Sequence, residues 1–329
     1  MARRGVSKPE AVLLTRNSSA ADQSGWAVLL LAHGAPDRLG DIPQFVLNVR
    51  SGRGLSENAV QEIIQRYARI GGGSPLLRVT TQQAGGLARA LGVPVYVGMR
   101  NWTPYIEDAV RKLAEDGVSQ VVAVCLAPQN SRTSIGLYRS HLLEAVDKFA
   151  PGLHVEFVES WHNDADLIAA FREKASAALA GAEAESGHPV PVVFTAHSVP
   201  EKTIAEGDPY ESQVRETAQL LANAMGLTEY KVAFQSQGMT SEPWLGPTVE
   251  SVIDDFAEKG SRQLLLAPIG FVSDHVEILY DIDVAFREYA QKKGVCISRP
   301  ESLNASPLLI RCLASIVSKR IEVVAGRSS

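Results

Sequence analysis

Short, mostly apolar runs that each stop at a turn and give way to a helical stretch constrain this chain more than any other feature. Ala27–Ala32 (A-V-L-L-L-A), Val93–Gly98, Gln120–Leu126 and Val155–Val158 are four such runs. Pro191–Ala196, Tyr230–Gln235 and Gln263–Ala267 are three more. A strand without polar alternation has both faces covered, the condition of a parallel sheet flanked by helices. Helical spacing fills the gaps: Asp41–Arg50, Ser56–Ile70, Leu76–Leu91, Pro104–Asp116, Thr133–Phe149 and Asp164–Ala180, with 181–187 as a loop. It resumes at Glu211–Met225, Pro247–Lys259, Asp274–Lys293 and Ser306–Val324. This alternation predicts an α/β fold of βαβ units.

The pattern also repeats itself. Ala32-His33-Gly34-Ala35-Pro36 matches Ala196-His197-Ser198-Val199-Pro200, and Leu126-Ala127-Pro128 returns as Leu266-Ala267-Pro268. Trp102-x-Pro104 and Trp244-x-x-Pro247 each open a helix that closes on an Ala-acid-x-Gly end, at Gly117 and Gly260. Ordered self-similarity of this kind predicts two like domains, each a doubly wound parallel sheet, around one cleft. The expected division is a disordered tail at 1–25, domains at 26–160 and 161–305, and a C-terminal helix at 306–329 packing back on the first domain.

Composition excludes several classes. The formal net charge of -5 gives no general attraction to nucleic acid. No apolar run approaches the roughly 18 residues of a membrane span. Residues 1–25 carry Arg3, Arg4, Lys8 and Arg16 around a short apolar patch, too short for a secretory leader. Cys125, Cys296 and Cys312 are odd in number and far apart, which fits buried thiols in a reducing, cytoplasmic setting. A four-thiolate iron–sulfur cluster is not expected from them. Gly71-Gly72-Gly73-Ser74 follows a helix, whereas a dinucleotide loop follows a strand, so it reads as a flexible turn offering N–H groups to an anion.

The chemistry-bearing residues gather where strands end, the edge at which open α/β sheets bind ligands. The corner from Leu264 to Tyr289 packs Ser273, Asp274, His275 and Glu277 into one turn. Asp274-x-x-Glu277 can be a capping box, with Ser273 or Asp274 as N-cap, or Glu277 can face a cleft. His197 stands at a similar edge, as a structural donor or as a partner that shares protons or a metal with Glu277. His33 is its counterpart in the first half, either a third polar group in the cleft or a turn residue. Arg50, Arg53, Arg66, Arg78, Arg100, Arg132 and Arg139 fall near loops of the first half. They are solvated, or several converge on a ligand with multiple carboxylates. Tyr67, Tyr138, Trp102 and Trp244 can form a flat apolar wall or belong to the core.

Together these segments resemble the ferrochelatase family, from about Trp26 to Lys319. The resemblance rests on G-G-G-S-P-L (Gly71–Leu76), G-M-R-N-W (Gly98–Trp102), L-A-P-Q (Leu126–Gln129) and A-H-S-V-P (Ala196–Pro200). G-D-P-Y (Gly207–Tyr210), P-W-L-G-P (Pro243–Pro247) and G-F-V-S-D-H-V-E-I-L-Y-D-I-D (Gly270–Asp283) complete it in order. It implies two Rossmann-like domains with a porphyrin between them, and insertion of Fe2+ into a free-base ring without an organic cofactor. Iron is then substrate, with the metal site at His197 and Glu277. His197 is suited to take the pyrrole protons, Glu277 to bind iron or relay protons, and Asp281 to continue a polar path. Ala285 stands where some relatives extend that row with an acid, which weighs against a second metal site.

The resemblance is closest to the short, soluble branch acting on coproporphyrin III. No membrane-associating carboxyl-terminal extension is seen, and Gln235–Trp244 is similar to that branch's Q-S-x-G-x-T-x-x-P-W pattern. Its carboxylate-binding positions match Arg50, Arg66 with Tyr67, Ser74 and Tyr138, with Trp244 beside the ring. His33 replaces a tyrosine that can ligate product iron, and an arginine pair is reduced to Arg50-Ser51. The alternatives are a protoporphyrin IX ferrochelatase, a cobalt chelatase or a carrier without catalysis. A downstream haem-pathway protein is the implied partner.

Overall fold

The computed structural model describes residues 25–238 and 242–327. The expected tail lies outside these residues, as does Met239–Ser241 of the Gln235–Trp244 segment. Two four-stranded sheets form, all parallel. The first contains β1 (Trp26–Ala32), β2 (Val95–Met99), β3 (Gln120–Cys125) and β4 (His154–Val158), in the order β2-β1-β3-β4. The second contains β5 (Val192–His197), β6 (Lys231–Gln235), β7 (Gln263–Pro268) and β8 (Cys296–Ser298), in the order β6-β5-β7-β8. The orders are the same, so the repeated motifs fall at like places. His33 follows β1 as His197 ends β5.

Helices α1 (Ile42–Val49), α2 (Glu57–Arg69) and α3 (Leu76–Leu91) separate β1 from β2. α4 (Ile106–Glu115) leads into β3, α5 (Ile135–Phe149) into β4, and α6 (Ala165–Ser186) crosses to the second sheet. α7 (Glu201–Ala205) and α8 (Tyr210–Met225) precede β6, and α9 (Val249–Glu258) precedes β7. α10 (Val276–Leu279), a π-helical segment (Asp281–Phe286) and α11 (Arg287–Lys292) lead to β8. The last helix, α12 (Pro307–Arg327), packs on α3 beside the first sheet and on α6 beside the second.

Strand alternation divides the core. In β1, Val28 and Leu30 point into a cluster that runs on to Phe194 and Leu265 of the second sheet. Ala27, Leu29 and Leu31 point the other way, into a cluster with Val110, Leu113 and Leu142 under α4 and α5. Val193, Leu264 and Leu266 enter the matching outer cluster of the second sheet. Both faces are buried, as the unbroken apolar runs require. Polar ties join the halves as well. Gln83 donates to Ser273 Oγ at 2.9 Å and to the Asn304 carbonyl at 2.8 Å. Gln129 donates to Thr217 Oγ1 and the Ile269 carbonyl, both at 3.1 Å.

Several expectations are corrected. α6 runs through the stretch expected as a loop at 181–187, because Ala and Glu propagate a helix well, and it ends at left-handed Gly187 (φ 71°). β8 has no signal in the sequence, since three residues carry no readable period. The helix expected at Asp274–Lys293 is broken: the Tyr280 carbonyl accepts from both Val284 and Ala285 N–H, which inserts a π turn. Its N-cap is His275, and neither Ser273 nor Asp274 caps it. The thiols of Cys125 and Cys312 are buried as expected, but Cys296 is exposed on the edge strand β8.

Candidate active site

The first constraint on the site is where β5 ends. Tyr210 Oη donates to the His197 carbonyl at 2.9 Å and fixes the backbone there. His197 Nδ1 donates to the neighbouring Ser198 carbonyl. That leaves Nε2 facing Glu277 Oε1 at 3.6 Å. This is too long for a direct hydrogen bond, and it suits a pair that shares a proton or an ion.

Glu277 reaches that position through a tightly folded corner. Gly270 lies so close to β5 that a Cβ there would stand 2.9 Å from the Ala196 Cβ and 3.0 Å from its Cα. Asp274 anchors the corner. Its carboxylate accepts from Ser302 Oγ at 2.7 Å and Asn304 Nδ2 at 2.8 Å, and its N–H donates to Asn304 Oδ1 at 2.9 Å. The acid expected to cap the helix therefore ties the corner to the segment before α12. Gln235, paired with His197 across β5 and β6, donates to the Glu277 carbonyl at 2.8 Å and accepts from Thr195 Oγ1 at 2.8 Å.

His275 is the functional residue that sequence reasoning gave no role. Its Nδ1 meets the Ser273 carbonyl at 2.9 Å and its Nε2 meets Glu277 Oε2 at 3.0 Å. Both neighbours are acceptors, so both ring nitrogens carry protons. Burial alone would lower its pKa, but the bond to Glu277 and that carboxylate's charge outweigh burial and raise it. Burial likewise pushes the Glu277 carboxyl up, and the charges of His197 and His275 with the His275 bond hold it well below the usual range. Glu277 therefore stays ionised. One turn on, burial raises Asp281 from 3.8 to about 6, assisted by the Glu277 charge and opposed by the Ser236 hydroxyl bond. Arg299 holds the π segment in place by a two-pronged bond to Asp283, at 2.8 and 2.7 Å.

His33 faces this group from the first sheet. Burial and then the Arg100 charge lower its pKa to about 4, and it also senses Glu277, His275 and His197. The strand ends of both sheets thus meet at one place. The Asn101 amide lies 3.1 and 3.2 Å from its two ring nitrogens. Phe45 of α1 stands 6.1 Å away, ring to ring.

The remaining sequence candidates separate. Arg66 lies over the Tyr280 ring at 5.5 Å, beside Asp281, and Arg50 ends α1. Tyr67 and Tyr138 are core residues, 2% and 6% exposed, rather than an open wall. Arg100 stacks on Tyr138 at 4.9 Å. Ser74 is buried, and its Oγ accepts the Leu76 N–H at the start of α3. Trp244 is half-buried over Gly238, where a Cβ would come within 2.3 Å of the indole. Arg132 and Arg139 pair with Glu206 and Glu159. Arg100, Asn101, Gln235 and Ser236 were not singled out for the histidine groups they serve. The signal is their position, at or just past the ends of the strands that flank the two histidine strands.

Two like parallel sheets whose strand ends meet around an imidazole–carboxylate pair define a two-domain metal chelatase. The fold agrees with SirB from Bacillus subtilis, solved with Fe3+, at a TM-score of 0.57 and 13% identity, over 92% of this chain and 97% of that one. The family model for ferrochelatase matches residues 25–321. A ferrochelatase from Acidobacterium capsulatum is 47% identical over 312 residues, 90% of this chain and 94% of that protein. A coproporphyrin III ferrochelatase from Geobacillus is 37% identical over 304 residues, 90% and 98% of the two chains. The chain belongs to the ferrochelatase family, enzymes that insert iron into porphyrin in haem synthesis. Among the described residues no helix is long and apolar enough to cross a membrane.

Proposed function

We propose that this enzyme inserts Fe2+ into coproporphyrin III, with His197 and Glu277 at the ring centre and basic side chains at its rim. A free-base porphyrin must lose two N–H protons and bend to admit a metal from one face. His197 Nε2 takes a pyrrole proton, and the Glu277 carboxylate stabilises the imidazolium that results. Glu277 also offers Fe2+ a hard oxygen ligand as water leaves it. Asp281, poised near neutral pH, receives protons from that pair and passes them toward the π segment. Tyr67 and Tyr138 brace the cleft from behind, Trp244 and Ser74 flank it, and neutral His33 offers an axial nitrogen to product iron.

The observation that carries the substrate choice is the charge of the rim. Arg50 and Arg66 form no ion pair with a carboxylate among the described residues, whereas Arg69, Arg132, Arg139 and Arg299 do. Unpaired guanidinium groups suit four peripheral carboxylates better than two. Relatives named coproporphyrin III ferrochelatase support the same reading. The test is anaerobic turnover with Fe2+ on coproporphyrin III and protoporphyrin IX side by side. Faster insertion into coproporphyrin III is expected, and equal rates or a preference for protoporphyrin IX overturn the substrate choice.

A further inference from the structure

α1 ends in a closed turn that brings a second guanidinium beside Arg50. The Ser51 N–H donates to the Asn48 carbonyl at 3.1 Å and the Gly52 N–H to the Leu47 carbonyl at 2.8 Å. This is a Schellman end, with Ser51 (φ 53°) in the left-handed position where glycine is usual. Gly52 is left-handed too (φ 82°), so the chain doubles back and places Arg53 against Arg50. The two side chains then lock reciprocally. Arg50 Nε donates to the Arg53 carbonyl at 3.1 Å, and Arg53 Nε donates to the Arg50 carbonyl at 3.3 Å. The locking uses only the Nε donors. Neither residue forms an ion pair among the described residues, so the Nη donors of both are left for another partner.

The turn has a fixed place relative to the catalytic pair. Asn48 donates to the Asn101 carbonyl and to Tyr105 Oη, both at 3.0 Å, and Asn101 is the residue that holds His33. From Phe45, beside His33, α1 rises about 7.5 Å to Arg50. Like charges held close repel, and an anion bound between them offsets that repulsion.

We infer that Arg53, locked against Arg50, is a specificity-determining residue that binds a peripheral carboxylate of the porphyrin. This rests on the porphyrin reading above. The pair gives one rim carboxylate two guanidinium forks, and it favours a ring with four carboxylates over a ring with two.

The test is the affinity of Arg53→Ala and Arg53→Gln for metal-free coproporphyrin III and protoporphyrin IX, read by fluorescence, with kcat and KM for iron insertion alongside. Glutamine keeps a donor for the Arg50 carbonyl and removes the charge. Both variants are expected to raise Kd and KM for coproporphyrin III about fivefold, the size of one partly exposed ion pair. The change for protoporphyrin IX should be smaller, kcat should stay within about twofold, and the salt dependence of Kd should weaken. Equal changes for both porphyrins, no change, or full recovery in Arg53→Gln would overturn the inference. Binding is measured without iron, so Arg53 is judged even if the wild type inserts iron poorly. A wild type that prefers protoporphyrin IX refutes the substrate reading separately.

Discussion

Replacing Asp281 by asparagine should stabilise the fold at neutral pH while slowing the enzyme. The carboxyl is raised from 3.8 to about 6, first by burial and then by the Glu277 charge. An acid whose folded pKa lies above its unfolded pKa binds more protons when folded. Stability therefore falls as pH rises from about 4 to about 6, and the penalty is complete above that range. The displacement corresponds to about 3 kcal/mol by which the fold disfavours the ionised side chain near pH 7.5. About half of it is present near pH 5. Asparagine removes the charge and still accepts from the Ser236 hydroxyl, which now bonds Asp281.

Urea unfolding of wild type and Asp281→Asn near pH 5 and near pH 7.5 reads this directly. The variant should gain more at the higher pH, by roughly 1.4 kcal/mol, and lose at least about tenfold in kcat. The acid limb of the wild-type rate profile near pH 6 should flatten in the variant. A stability difference that does not change between the two pH values would refute a raised Asp281. A variant with unaltered kcat would remove Asp281 from the proton path.

Other positions carry equally definite expectations. His275→Gln takes away a cation that helps hold Glu277 ionised, so the acid limb of kcat/KM should move to higher pH, and an unmoved limb counts against that role. Gly270→Ala places a Cβ 2.9 Å from Ala196 and should cost about 1–3 kcal/mol in urea unfolding while raising KM less than it lowers kcat. His33→Ala should change the absorption spectrum of the bound iron-porphyrin product, and an unchanged spectrum excludes axial ligation by His33.

The sequence carried the fold where physics is local. Apolar runs without alternation marked buried parallel strands, and repeated strand ends marked two like halves. That His197 and Glu277 come close together was legible because both stand where strands of one sheet end. What was hidden depends on distant partners. The roles of Asp274 and His275 are set by Asn304, Ser302 and the Ser273 carbonyl, and no window around the corner contains all of these. The π turn depends on one carbonyl accepting twice, which helical periodicity does not encode. Tyr67 and Tyr138 look alike in sequence to any exposed tyrosine, and only packing placed them inside.

The repeat also sets two histidines at like strand ends in unlike surroundings. His33 directly follows β1 and His197 is the last residue of the equivalent strand β5, so the strand order alone does not set them apart. Their neighbours do. After β2 the chain supplies Arg100, whose charge joins burial in lowering the His33 pKa to about 4, and Asn101, whose amide lies 3.1 and 3.2 Å from its ring nitrogens. At the end of β6 it supplies Gln235, whose bond to the Glu277 carbonyl helps hold Glu277 opposite His197. The corners after β3 and β7 divide in the same manner. Asn130, Ser131 and Arg132 spend their polar groups on Gln213 and Asp208 of the other half, binding the halves together. The matching corner after β7 is held from behind by Asn304 and Ser302, so Glu277 is left to face the cleft. The second half sets an imidazole opposite a carboxylate and the first half does not, an unequal use of equal folds.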